Sequence, residues 1–98
     1  METIHRLVIW FQAQCDGDWE HGDGIVIESL DNPGWWIKIG VDGTNLEEAS
    51  FSAVNLTRTE KDWILAKKDE GIFDIKCGAG NLEEALTLFL DWANGSTE

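Results

Sequence analysis

The sequence predicts an α+β domain in which an antiparallel sheet of four to five strands carries the N-terminal and C-terminal helices packed on one face. Apolar residues recur at helical spacing near both ends of the chain, whereas the middle alternates between β-rich runs and turns. The 98 residues are a common size for one domain, so we expect residues 1–98 to fold as a single unit.

The first predicted helix spans residues 3–15, with Thr3 as its expected N-cap. Its expected core face consists of Ile4, Leu7, Val8, Phe11 and Cys15. Ile9 and Trp10 widen the apolar surface beyond one stripe, which leaves self-association through this helix open. The oligomeric state is not determined by the sequence.

The second predicted helix spans residues 82–93, with Gly95 as a stop signal after its last turn. Asn81 is the expected N-cap, and Glu84 completes a capping box with it. The expected core face consists of Leu82, Ala85, Leu86, Phe89 and Trp92.

Two hairpins and one further strand are predicted between the helices. The strands are residues 24–30, 35–41, 49–57, 63–68 and 72–77, of which 49–57 has the weakest alternation. Asp31–Gly34 forms the first hairpin turn, and we expect a type II turn with Gly34 at positive φ. Asp69–Gly71 forms the turn of the second hairpin.

Alternation along the strands separates an inward from an outward set. The inward residues are Trp35, Ile37, Ile39, Val41, Phe73, Ile75 and Cys77. The outward residues are Trp36, Lys38, Gly40, Asp74 and Lys76. An indole on the outward face is unusual enough to be a candidate for binding.

The net charge of −12 restricts the partners of this chain. Six acids and no Lys or Arg lie between Asp16 and Asp31. Such a field repels nucleic acids and anionic membranes and attracts cationic proteins, so we expect a protein partner, with neither nucleic acid nor membrane bound. Solubility alone is the simpler explanation of the charge.

Several features indicate a cytoplasmic protein. The start, METIHRLVIWF, has no signal-peptide cleavage pattern, and no apolar run approaches the roughly 18 residues of a membrane span. Cys15 and Cys77 are the only cysteines, and we interpret both as reduced thiols.

The stretch CDGDWEHGDGI, residues 15–25, combines carboxylates, a thiol, an imidazole and an indole. A calcium loop starting at Asp16 would need glycine and glutamate where the chain has His21 and Ile27, so that pattern fails. A zinc site built from Cys15, His21 and a carboxylate lacks the paired ligand spacings of known zinc motifs. We therefore expect no metal.

Catalysis is also disfavoured. Neighbouring carboxylates would raise the pKa of Cys15 and suppress the thiolate that a nucleophile needs. The stretch GAGN, residues 78–81, is followed by Glu83 and Glu84, which would repel a phosphate. We expect no cofactor and no enzymatic activity, although a small metal- or Cys-dependent enzyme centred on Cys15, Glu20 and His21 remains the alternative.

A protein interface is the function that these residues favour. Carboxylates steer a basic partner, and tryptophans carry much of the energy of interfaces. The residues expected to bind it are Asp16, Asp18, Trp19, Glu20, Asp23 and Trp36. For Trp19, the alternative is a core residue that anchors the loop. A further alternative is a general DNA mimic that binds many basic proteins.

The stretches WFQAQCDGDWEHGDGIVIESLDNPGWWIKI, DWI (62–64), NLEEAL and FLDW (89–92) together resemble the immunity protein 53 family of bacterial polymorphic toxin systems. The resemblance implies a small α+β protein that protects a bacterium against a toxin and has no enzymatic activity. The family's defining residues would be Trp19, Glu20, His21, Gly24, Asp31, Asn32, Pro33, Gly34 and Trp35. Among these, we expect His21, Gly24, Asp31, Asn32, Pro33, Gly34 and Trp35 to organise the surface. The charge then points to a cationic cognate toxin, with a nuclease as the economical example.

Overall fold

The computed structural model describes residues 2–95. The elements are α1 (Thr3–Gln14), a 3-10 turn (Trp19–His21), β1 (Ile25–Leu30), β2 (Gly34–Gly40), β3 (Val54–Thr57), β4 (Trp63–Asp69), β5 (Ile72–Gly78) and α2 (Leu82–Gly95). The strands form one sheet in the order β1-β2-β5-β4-β3, and every neighbouring pair is antiparallel. The predicted α+β class is confirmed, and the antiparallel sheet, predicted to have four to five strands, has five. Neither helix is long and apolar enough, within the part of the chain described, to cross a membrane.

The core lies between one face of the sheet and the helices. Ile37 and Ile39 of β2 are paired with Ile75 and Phe73 of β5, and all four side chains are fully buried. Buried residues of both helices belong to the same cluster, so α1 and α2 lie on the same face. The predicted inward set is confirmed, with Trp35 only partly buried. The opposite face, which carries Trp36, has no helix over it among residues 2–95.

Helix α1 packs through a different side from the one predicted. Of the expected core face only Leu7 is buried, while Ile4, Val8 and Phe11 are exposed. The helix instead contacts α2 through Trp10, whose ring centroid lies 5.0 Å from that of Phe89. Periodicity identified apolar positions correctly, but the contact with α2 determined which of them became core.

Thr3 is not the N-cap of α1. Glu2 has the extended backbone of a cap, and Thr3 is the first helical residue. The Thr3 hydroxyl faces α2, where it lies 3.2 Å from Oε2 of Glu83 and 3.1 Å from the hydroxyl of Thr87. A polar side chain that looked like a local cap therefore joins the two helices instead.

Helix α2 confirms its predicted apolar face and extends it to Leu90 and Ala93. It runs to Gly95, two residues beyond the prediction, and the chain after Gly95 lies outside the described residues. Asn81 precedes the helix, and its carbonyl accepts the Ala85 N–H at 2.9 Å. The expected capping box is replaced by a side-chain contact, in which the Asn81 amide donates to Glu84 Oε1 at 3.1 Å.

The loops differ from prediction in two places. The third strand is limited to Val54–Thr57, the residues that pair with β4, and the stretch from Val41 to Ala49 forms consecutive turns that bury Leu46. The turn between β1 and β2 contains three residues, Asp31–Pro33, and Gly34 already pairs with Leu30 as part of β2. Gly34 does not have positive φ, so the predicted type II geometry is wrong.

The second hairpin has a two-residue turn with φ of 48° at Glu70 and 84° at Gly71, as in type I′.

Gly34 is required for close approach rather than for its backbone freedom. A Cβ built on Gly34 would collide with the carbonyl oxygen of Cys77 on the paired strand β5. Gly34→Ala should therefore lower the free energy of unfolding by about 2 kcal/mol, because the β2–β5 ladder must shift to make room. Urea denaturation followed by circular dichroism measures this change.

Gly80→Ala is the matched control, since a Cβ on Gly80 would meet no atom within 4 Å. This variant should stay within about 0.5 kcal/mol of the wild type. Equal stability of the two variants would contradict the role given to Gly34.

Candidate functional site

The stretch between α1 and β1, residues 15–24 (hereafter the acidic loop), is organised by its own carboxylates. Glu20 accepts the backbone N–H of Asp16 at 3.0 Å with one oxygen and that of Gly17 at 2.9 Å with the other. Asp16 Oδ1 accepts the N–H groups of Asp18 at 3.0 Å and Trp19 at 3.1 Å. These two acids therefore hold the conformation of the loop.

Hydrogen bonding lowers the pKa values of both acids. The pKa of Asp16 falls below its ordinary value because the N–H groups of Trp19 and Asp18 stabilise the carboxylate. The pKa of Glu20 is lowered by its own N–H and then by those of Asp16 and Gly17. The hydrogen bonds therefore favour the charged form of both carboxylates, so the fold of the loop and its negative charge support each other.

Trp19 anchors the loop to the rest of the molecule. Its side chain is only 7% exposed, and its indole N–H donates to the Gly40 carbonyl at 3.0 Å. The indole packs edge-on against Trp10 at 5.6 Å and Phe11 at 5.4 Å between ring centroids. Trp19 is therefore a core residue that anchors the loop, as in the alternative given for it above. Little of its ring is left for a partner to contact.

A shallow surface depression of about 390 Å³ lies beside this anchor. Four carboxylates line it, from Asp16, Asp18, Asp23 and Asp42. Asp42 is not among the residues expected to bind a partner, and only the structure brings it to the depression. Asp42 lies two residues after the end of β2, whose last residue, Gly40, accepts the Trp19 indole N–H, and this tertiary contact brings Asp42 close to the loop.

The residues proposed for an enzyme do not form a catalytic arrangement. The exposed Cys15 thiol donates to the Phe11 carbonyl, and its pKa is raised by loss of hydration and then by the charges of Glu20 and Asp16. The Glu20 carboxylate is engaged by backbone N–H groups, and the exposed His21 imidazole makes no hydrogen bond within residues 2–95. No group of three His, Cys, Asp or Glu side chains in that range is arranged to hold a metal.

Trp36 is not brought together with the acidic loop. It lies on the open face of the sheet, where the ammonium groups of Lys38 and Lys76 stand 4.2 Å and 4.7 Å from its ring centroid. Its indole N–H donates to Asp74 Oδ1 at 3.1 Å. The sequence correctly predicted an outward Trp36 beside Lys38, but this cluster is separate from the loop.

The expected organising residues lie at two ends of the β1–β2 hairpin. Gly24, with φ of 58°, is the last residue of the acidic loop, and its carbonyl accepts the Gly40 N–H at 2.8 Å. The turn Asp31–Pro33 and Gly34 lie at the other end of the hairpin, roughly 20 Å away for a six-residue strand. There the Trp35 indole donates to the Ala79 carbonyl at 2.9 Å. The structure therefore places only part of this set beside the acidic loop.

Glu20→Gln tests the internal organisation of the loop. Two N–H donors need two oxygens, and glutamine supplies only one, so the Gly17 amide should lose protection and exchange severalfold faster. In the wild type the lowered pKa of Glu20 means that this protection is fully present above about pH 5 and is lost as pH falls through the folded-state pKa. Amide exchange and chemical shifts measured by NMR against pH follow both effects.

Glu48→Gln is the control for this measurement, because Glu48 is exposed and lies outside the loop. Unchanged protection of Gly17 in Glu20→Gln would show that the carboxylate does not hold the loop.

Comparison with known proteins gives one match. The sequence model of the family described as Immunity protein 53 matches residues 4–94, which includes the acidic loop, the whole sheet and nearly all of both helices. No curated protein and no solved structure matches the chain. Because the match covers almost the entire sequence, this chain belongs to the immunity protein 53 family.

Proposed function

We propose that this chain binds a cationic cognate toxin domain through the acidic loop and thereby neutralises it in the cytoplasm. Membership of the immunity protein 53 family supports the immunity role. The observation that carries the choice of surface is the depression lined by four carboxylates on a chain of net charge −12. A toxin with a basic substrate groove, such as a nuclease, is the partner that this charge suits.

The carboxylates of the site divide into two groups. Asp16 and Glu20 accept backbone N–H groups, so their charge is tied to the loop. Asp18, Asp23 and Asp42 are exposed, and their carboxylates accept no hydrogen bond within residues 2–95. Those three are therefore the acids best placed to pair with lysines and arginines of a toxin.

The ordered loop favours rapid and tight association. Exposed carboxylates of one sign steer a basic partner towards the site and raise the association rate. Because Glu20, Asp16 and Trp19 already fix the loop, less conformational entropy is lost on binding.

The mechanism needs neither metal nor cofactor, and the raised pKa of Cys15 works against the thiolate chemistry of the enzyme alternative.

Co-expression is the direct test of the immunity role. Bacteria that express the toxin domain encoded beside this chain's gene should grow only when the chain is present, and the two purified proteins should form a stoichiometric complex. Loss of growth despite expression of the folded chain, or absence of a complex, would contradict the proposal. Equally tight binding to unrelated basic proteins would instead support the DNA-mimic alternative.

Neutralising two free carboxylates tests the acidic loop itself. Asp18→Asn together with Asp23→Asn should slow association with the toxin at low salt by about tenfold and make its salt dependence shallower, because steering is electrostatic. Asp16 is left intact, since its side chain accepts two backbone N–H groups. Stopped-flow or surface-biosensor kinetics at several ionic strengths give both quantities.

Glu48→Gln together with Glu60→Gln is the matched control, because it removes the same net charge from exposed positions outside the loop. An association rate and salt slope that are the same in both double variants would show that the loop is not the steering surface.

A further inference from the structure

Helix α1 presents an apolar stripe that nothing in the described chain covers. Ile4, Val8 and Phe11 are 58%, 46% and 36% exposed, and their spacing of four and three residues aligns them along one flank of the helix. The buried side of the helix, with Leu7, faces the core instead. Contiguous exposed apolar side chains at one site indicate an interaction surface more often than isolated ones do.

One end of the apolar stripe is continuous with the acidic loop. The Phe11 ring lies 5.4 Å from that of Trp19, the residue that anchors the loop. Cys15, one turn beyond Phe11, bonds the Phe11 carbonyl and begins the loop. Trp19 also lines the depression that contains the exposed residues Asp18 and Asp23, so Trp19 connects the stripe to the acidic surface.

The other end of the apolar stripe is also acidic. Ile4 shares a surface depression of about 410 Å³ with Glu2 and Glu83. The one Lys or Arg of α1 is Arg6, which is bound to Asp91 at 3.0 Å and lines a different groove. The apolar stripe thus has acidic residues at both ends, and α1 contributes no lysine or arginine to that flank.

The charges at the two ends of the apolar stripe indicate which kind of protein can bind there. If two copies packed through the stripe with their helices antiparallel, the acidic loop of each would face Glu2 and Glu83 of the other. If the helices were parallel, loop would face loop. Both orientations oppose like charges, whereas a cationic protein with an apolar centre would complement the whole strip.

We propose that the apolar stripe is the dry centre of the toxin interface and that the acidic loop is its charged rim; this inference rests on the proposed function. The two parts have separate kinetic roles. Apolar side chains that lose water at the centre of an interface set the dissociation rate, whereas rim charges set the association rate and its salt dependence. The toxin surface that fits has lysines or arginines around an exposed apolar patch.

Ile4→Gln together with Val8→Gln tests the inference. Both side chains are exposed and glutamine favours helices, so the fold should be retained, which circular dichroism checks. With the toxin domain encoded beside this gene as the probe, dissociation should accelerate about tenfold or more, while the association rate and salt slope stay near the wild type. Leu65→Gln is the matched control, because Leu65 is 41% exposed on the opposite face of the sheet and should change neither rate.

Four outcomes separate this inference from the proposed function. A selectively faster dissociation in the α1 variant supports the inference. Dissociation within twofold of the wild type, with Asp18→Asn/Asp23→Asn still impaired, overturns the inference and leaves the proposed function standing. A wild-type chain that does not bind the toxin overturns both. A wild-type dimer that Ile4→Gln/Val8→Gln converts to a monomer in analytical ultracentrifugation assigns the stripe to self-association and overturns the inference.

Discussion

The acidic loop depends on the burial of one indole. Asp16, Asp18, Glu20 and Asp23 repel one another, and a flexible loop would spread them apart. The Trp19 indole prevents this by filling a site against α1 and donating its N–H to the end of β2. A buried aromatic side chain of this kind contributes roughly 1.5–3 kcal/mol through its area alone, which opposes the repulsion among these charges. The position of the site on the molecule follows from that contact.

The loop also uses part of its charge to stabilise itself. Glu20 and Asp16 accept four backbone N–H groups between them, which lowers both pKa values and gives the loop a fixed shape. The remaining acids, Asp18 and Asp23 with Asp42 beside them, stay exposed. A fixed surface of unpaired carboxylates is suited to a partner that brings its own cations. This division explains why the same sequence could suggest a metal site when only residue types were counted.

The two faces of the sheet differ in chemistry. The helix-bearing face continues into the aromatic packing of Trp10, Phe89 and Phe73, which connects α1 to the middle of the sheet. The open face carries Trp36 between Lys38 and Lys76, and the acids Asp74 and Glu28 balance these two charges, unlike in the acidic loop. An exposed or buried tryptophan does not by itself identify an interaction surface on this molecule. The charges of the residues around it differ from one element to another.

The sequence by itself determined the helix–hairpin–strand–hairpin–helix order, the inward and outward strand residues and the net charge, because alternation, helical spacing and turn residues are local properties. Only the tertiary structure decided that Val8 and Phe11 are exposed while Leu7 is buried, since this depends on how α1 meets α2. It also decided that Gly34 is needed for the approach of β5 rather than for a turn, and that Asp42 lines the same depression as residues of the acidic loop. In each case the deciding contact joins residues far apart in the chain, which no local pattern records.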